Sequence, residues 1–225
     1  MSKTDEASIC ALYQQYYEIC AGSVTDDLQE KDYVILLRDE AGKIQGFSTA
    51  LLIKFTYSAV KRVAIFSGDT VIHHDHWGTQ ALSLSWCRFA GEIKATYPDR
   101  PLYWFLIVKG YRTYRYLPLF SKIYYPNRRY KTPIATQLMI NYLASEKFGE
   151  SYLPDKGIVK FPESRGHLHE QWAEIPSHVQ NHPDVRYFLE RNPGYSAGDE
   201  LVCFTELSVD NLRSYALRAF KEAMV

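Results

Sequence analysis

The sequence predicts an α/β domain of the α+β type, with a mixed, mostly antiparallel central sheet flanked by helices. Three observations carry this expectation. Residues 33–37 and 44–55 are β-branched, aromatic or apolar stretches joined by the turn-rich RDEAGK, the pattern of an antiparallel hairpin. Between residues 82 and 97, Leu82, Trp86, Phe89, Ile93 and Tyr97 recur at steps of three and four, the spacing of a helix packed on a sheet. Residues 102–108, LYWFLIV, are apolar throughout, as a central strand buried on both faces requires.

The other elements follow in order. Ile9, Leu12, Tyr13, Tyr16, Ile19 and Cys20 lie at helical spacing over residues 6–20, giving an amphipathic first helix behind a cap at Thr4 or Asp5. After the hairpin, a third strand is expected over residues 61–73, KRVAIFSGDTVIH. Its interior Gly68 marks a bulge or the close approach of another backbone or a ligand. The polar loop HDHWGT leads into the helix of residues 82–97, which stops before Pro98. Beyond the central strand, Gly110 precedes a Tyr-rich helical stretch that Pro118 should break. Thr132 and Pro133 read as the N-cap and first residue of a further helix, with Gly149 as its stop. A short strand at 157–161, a short helix at 183–191 and a strand at 200–207 complete the pattern, and Ser208 should cap a closing helix to about Ala219. With no internal repeat, low-complexity tract or linker, one domain over residues 1–225 is expected.

Composition narrows the function classes. The 225 residues are 46% hydrophobic and include 18 Tyr, 11 Phe and 4 Trp, enough to fill a core. The 26 Lys plus Arg balance 26 Asp plus Glu, so a nucleic-acid or anionic-membrane partner would need a local patch. No apolar run reaches the roughly 18 to 20 residues of a membrane span. The polar, acidic start MSKTDEAS is unlike a secretory signal, so a cytoplasmic protein is expected. Cys10, Cys20, Cys87 and Cys203 form no CxxC pair and read as small buried hydrophobes. Neither a GxSxG elbow, a Walker loop nor a full GxGxxG fingerprint occurs.

Two local clusters stand out. Lys109, Arg112, Arg115, Lys122, Arg128, Arg129 and Lys131 fall in a stretch without acidic residues and interleaved with aromatics. This is either a solvated basic face or an anion-binding wall. Arg112 and Arg115 lie near the C-terminal end of the buried strand, where open α/β sheets place ligands. His73, His74, Asp75 and His76 are the densest set of potential metal ligands; neighbours on a strand point to opposite faces, although a loop could fold them together, and no metal is expected. His167 and His169 form a weaker HxH.

The order of helix, hairpin, bulged strand, glycine-containing loop, helix, buried strand and helix over about residues 8–130, closed by ELVCFTEL, resembles the GNAT N-acyltransferase superfamily, here as a divergent member. The resemblance implies that residues 132–199 are an insertion or elaboration between late strands. It implies acyl-CoA or acetyl-CoA as donor, its pyrophosphate held by backbone amides at a helix start, a place suited to anions in general. The residues implied are Ile72, His73, Gly78, Thr79, Gln80 and Ala81. Of these, Gly78 and Ala81 occupy the small positions of the family's phosphate loop, whose leading Arg or Gln is missing in HDHWGTQALSLSW. A plain strand-to-helix turn is the alternative. The resemblance further implies Asp69 as general base, with a solvated turn carboxylate as the alternative. Phe120 stands where the family's acid tyrosine commonly sits, so Tyr114 or Tyr116 would supply the phenol unless both are core residues. The implied activity is transfer of an acyl group from a thioester to an amine. Its partners would be a small-molecule amine acceptor and an acyl-carrier protein or tRNA as alternative donor. A catalytically inactive GNAT-like ligand-binding or regulatory protein, or an aminoacyl-tRNA-dependent transferase, remains open beside it. The abundance of aromatics leans toward a roomy apolar acceptor or a long acyl chain.

Overall fold

The computed structural model of the chain describes residues 1–19, 23–162 and 166–224. Cys20, which the spacing of the first helix includes, lies outside the described residues. Helix α1 (Lys3–Gln14) begins earlier than Thr4 or Asp5 would place it, because the Ser2 hydroxyl accepts the Asp5 N–H at 3.1 Å and becomes the cap. It also ends earlier, and its expected last turn is instead strand β1 (Tyr17–Glu18). Helix α2 (Ser23–Gln29) follows, in a segment too polar to show apolar periodicity.

Strands β2 (Tyr33–Arg38), β3 (Ile44–Tyr57) and β4 (Val60–Ile72) form the expected meander. Helix α3 (Ala81–Thr96) and strand β5 (Leu102–Val108) come next. The Tyr-rich stretch splits into α4 (Tyr111–Tyr114) and α5 (Tyr116–Phe120), with the break at Arg115. Pro118 does not break α5. It sits in the first turn, where its missing N–H removes no helical bond. Helix α6 (Ile134–Phe148) starts with Pro133 as its cap and ends at Gly149, which has φ 53°.

Short strands β6 (Tyr152–Leu153), β7 (Ile158–Val159) and β8 (His167–Leu168) lead to helices α7 (Glu170–Ala173), α8 (Ser177–Gln180) and α9 (Pro183–Arg191). Strand β9 (Glu200–Glu206) and helix α10 (Ser214–Glu222) close the chain. Ser208 does not cap α10. Its carbonyl accepts the N–H groups of Asn211 and Leu212 at 3.1 and 2.9 Å, closing a turn that delays the helix.

Seven strands form one sheet in the order β2-β3-β4-β5-β9-β7-β6, antiparallel except for the central β4–β5 pair, while β1 and β8 form a two-stranded ribbon. The fold is thus mixed α/β with a mostly antiparallel central sheet flanked by helices. Strand β5 alternates between two cores, as its apolar run requires. Leu102, Trp104, Leu106 and Val108 pack with α3, α9 and α10 through residues such as Trp86, Phe188 and Phe220. Tyr103 and Phe105 pack with Met139, Ile140 and Leu143 of α6. Helices α1 and α2 close a third core over Phe47 and Val71. Each such buried side chain contributes about 1.5–3 kcal/mol. The segment 132–199 therefore supplies wall to both faces of β5, through α9 and α6. Among the described residues no helix is long and apolar enough to cross a membrane.

The sheet opens at its centre. Strands β4 and β5 pair in parallel from Val63↔Leu102 to Ser67↔Leu106 and no further. Strand β4 stays on β3 as far as Gly46↔Ile72, and β5 stays on β9 as far as Val108↔Leu201, so beyond Ser67 and Leu106 the two diverge. At the point of divergence the β3–β4 register shifts, leaving Gly68 and Asp69 together opposite Thr49. This is the bulge that Gly68 predicts. A Cβ at Gly68 would lie 3.0 Å from Lys31 Cε and 3.1 Å from Thr49 Oγ1, which is why glycine stands there.

Candidate active site

The bulge aims Asp69 at α1 and into a cavity of about 470 Å³ whose wall includes Tyr13, Tyr17, Asp27, Asp69, Lys109 and Glu200. Thr49 Oγ1 accepts the Asp69 N–H at 3.1 Å and fixes the bulged backbone, while the Tyr13 hydroxyl donates to Asp69 Oδ1 at 2.9 Å. Burial, and next the Asp27 carboxylate beside it, push the Asp69 carboxyl up to about 7, against the opposing pull of Lys109 and the Tyr13 hydrogen bond. Two of the other carboxylates on this wall have their own cations. Lys31 forms an ion pair with Asp27, and Lys109 lies 3.6 Å from Glu200 with both side chains nearly buried. Among the described residues Asp69 has no such cation within ion-pair distance. Lys109 also sits 5.6 Å over the Tyr17 ring, whose phenol burial and Asp69 hold above its usual range. A carboxyl that titrates near neutrality, in a cavity, held by a phenol, has the protonation behaviour of a general base.

A second cavity of about 440 Å³ shares Tyr17, Thr70 and Thr113 with the first. Ile72, Gly78, Arg112, Arg115 and Tyr116 line it, together with Trp172. Gly78 has φ +91°, a conformation that side chains disfavour, and open space where a Cβ would be. Gln80 precedes α3 without a side-chain cap; Thr79, Gln80 and Ala81 are exposed but, unlike Gly78, are not among the residues that line this cavity. The first-turn amides of α3 thus carry the positive end of a helix dipole with no side chain across them. The Arg112 guanidinium lies 4.5 Å over the Trp77 ring and 4.9 Å over that of Tyr111, and donates to the Trp172 carbonyl at 3.2 Å. Cation–π contact of this kind holds a guanidinium in place without neutralising it.

Several expectations change here. Tyr114 is not at the site. It is fully buried, its hydroxyl donates to the Pro126 carbonyl at 2.9 Å, it packs on Phe188 and Tyr124, and burial pushes its phenol far up. Tyr116, one residue past the break at Arg115, does line the second cavity, its phenol raised by burial and then by Tyr215. His73 lies off the cavity, its N–H bonded to the Gln45 carbonyl at 2.8 Å, and the Ile72 carbonyl is already taken by the Trp77 indole N–H at 2.8 Å.

The opposite-faces argument for the histidines also fails, because β4 ends at Ile72 and a tight turn follows. The rings of His73 and His74 stack at 4.3 Å, and ligand atoms of His73, His74 and Asp75 lie within 4.8 Å of one another. The group closes that turn: His73 Nδ1 accepts the Asp75 N–H at 3.4 Å, and the Tyr16 hydroxyl bonds His74 Nδ1 at 3.0 Å and takes the His74 N–H at 2.6 Å.

Sequence reasoning missed Tyr13, Asp27, Glu200 and Trp172 as site residues, and saw Lys109 only as part of a basic stretch. Tyr13 was visible only as an apolar-face helical residue. Asp27 and Glu200 come from elements distant in the chain, and Trp172 comes from a segment without periodicity. Lys109 carried a signal, as the basic residue directly after the buried strand.

No protein-family profile matches the chain, and no curated protein does. Among solved structures, the chain is similar to a conserved protein of unknown function from Enterococcus faecalis V583 described as a probable N-acyltransferase. The identity is 12% and the TM-score 0.41, over 55% of this chain and 31% of that one, so this chain spans under a third of that protein's length.

Proposed function

We propose that the chain is a thioester-dependent N-acyltransferase that binds an acyl-CoA in the second cavity and a small-molecule amine in the acidic one. The observation that carries this reading is the pair of cavities of opposite character meeting at the sheet fork, with Thr70 and Thr113 on the wall of both. One offers Arg112, Arg115 and the backbone of Gly78, just before α3, to phosphates; the other offers Asp69 to an ammonium. Asp69 takes a proton from the amine, whose nitrogen attacks the thioester carbonyl. Strand N–H groups freed by the fork stabilise the oxyanion, an effect commonly worth a few kcal/mol. The C–S bond then breaks and the departing thiolate takes its proton from Tyr116.

The test is calorimetric titration with free CoA and acetyl-CoA, then thiol release from acetyl-CoA across a panel of primary amines. Binding in the micromolar range with amine-dependent thiol release is expected, and absence of binding would overturn the reading. A second reading, a ligand-binding or regulatory protein, is favoured by the Trp77 bond to the Ile72 carbonyl and by Phe120. It expects the same binding without thiol release. An acyl-carrier protein or tRNA as donor would show instead as binding to the macromolecule alone, steeply weakened by salt in the case of RNA.

A further inference from the structure

Behind the fork lies a third, small cavity of about 40 Å³, reached past Thr70 and Thr113, which line all three. Its walls are Leu82, Trp86, Trp104, Leu106, Phe120 and the ring of Tyr116. Hydroxyls also border it, and those of Ser48, Thr70, Ser67 and Ser83 are engaged. Ser48 bonds Thr70 at 2.8 Å, Ser67 accepts the Trp104 indole N–H at 2.8 Å, and Ser83 bonds Tyr215 at 2.7 Å. What the cavity presents to a guest is therefore mostly carbon.

The back wall is rigid. Trp86, Trp104 and Phe120 are each at most 5% exposed, and their rings meet at 4.4 Å (Trp86–Trp104), 5.7 Å (Trp104–Phe120) and 6.0 Å (Trp86–Phe120). The Trp86 indole N–H is buried without an acceptor among the described residues, and the ring itself closes the back wall. Phe120 now has a reason as well. It stands where the resemblance leads one to expect an acid tyrosine, and here that position is apolar wall.

We infer that this cavity receives the acyl group of the donor, limits it to about two or three carbons, and owes that limit to Trp86 and Phe120. At about 40 Å³, against about 470 and 440 Å³ in the two neighbouring cavities, the space suits a short acyl group and not a long one. The inference rests on the acyltransferase reading and reverses the lean toward a long acyl chain that the aromatic content gave. The aromatics here subtract space from the donor site.

The test measures dissociation constants of free CoA and of acetyl-, propionyl-, butyryl- and hexanoyl-CoA on the intact chain. Acetyl- and propionyl-CoA are expected to bind at least as tightly as CoA, and hexanoyl-CoA about tenfold or more weakly, in line with what excess methylenes cost in an apolar pocket. Trp86→Phe and Phe120→Leu, each shown by circular dichroism to melt cooperatively, should reduce the hexanoyl-to-acetyl ratio of dissociation constants at least threefold. Equal affinity for acetyl- and hexanoyl-CoA in the unmodified chain would overturn the inference, as would an unchanged ratio in both folded variants. If CoA binds but chain length has no effect, this inference alone fails. If neither CoA nor any thioester binds, the donor reading fails and the acyl cavity with it.

Discussion

Replacing Asp69 by Asn should slow the reaction and stabilise the fold, a combination that few roles other than a buried general base produce. The amide oxygen of the replacement can still accept the Tyr13 hydroxyl that Asp69 Oδ1 holds at 2.9 Å, so the geometry survives while the proton acceptor is lost. Turnover should fall by roughly 10²–10⁴, the usual worth of positioned acid–base chemistry. The stability change follows from linkage. The folded chain raises this carboxyl from 3.8 to about 7, so it favours the protonated acid. That contribution is complete below about 3.8 and is lost as pH rises through 7. The roughly three-unit shift sets a ceiling of about 4 kcal/mol at 1.36 kcal/mol per unit. Relaxation of the surroundings and water entering the cavity on ionisation reduce this to roughly 1–2 kcal/mol. For a chain of this size that is about 2–8 °C in Tm. Melts at pH 4 and pH 8, beside thiol release from acetyl-CoA, measure both. The variant should gain stability at pH 8 and little at pH 4. Unchanged turnover would remove Asp69 from the chemistry, and a Tm difference independent of pH would refute its raised pKa.

Asp27→Asn removes the carboxylate that disfavours ionisation of Asp69, so the acid limb of the rate profile should move down by about one pH unit; an unmoved limb would separate the two groups. Stability should also drop, since the buried Lys31 loses its ion partner. Tyr116→Phe should lower kcat at least tenfold with little change in Tm, whereas Tyr114→Phe should leave kcat unchanged and cost about 1 kcal/mol, the lost bond to the Pro126 carbonyl; parallel kinetics and melts would show the opposite order if the assignment is wrong. Gly91→Ala should be strongly destabilising, by about 2 kcal/mol or more, because the added Cβ runs into the Phe220 carbonyl and lies 3.1 Å from Ala223 Cβ, forcing α3 from α10; a wild-type Tm would show that the helices have room to part.

What could be read from the chain alone depended on whether local pattern and tertiary role coincided. They did for residues 44–57, 81–96 and 102–108, where apolar spacing is long enough to fix both element and buried face. They did again at Gly68, whose bulge brought Asp69 into view. They parted at Arg115. The helix break there changes the phase between Tyr114 and Tyr116, sending one into the core and the other to the cavity, and no period carried across it can tell them apart. The histidines failed similarly, because strand alternation was extended one residue beyond the strand. Asp27 and Glu200 are the deeper case. Their importance lies in being near Asp69, and nearness between α2, β4 and β9 is a property of the sheet order, which local periodicity does not encode.

The sheet order also explains why the fork can exist. An edge strand that peels away leaves its neighbour exposed, but β4 and β5 are each held on their outer sides, by β3 as far as Ile72 and by β9 as far as Val108. Their inner edges can therefore part without unravelling the sheet. Parting leaves main-chain N–H and C=O groups without a strand partner, and such groups need water or a ligand to satisfy them. An extended ligand bearing amides along its length meets that need. This argues for placing the thioester carrier along the fork and the amine in the acidic cavity. The reverse arrangement would set a long polar chain against Asp69, Asp27 and Glu200, and would leave a small ammonium beside Arg112 and Arg115.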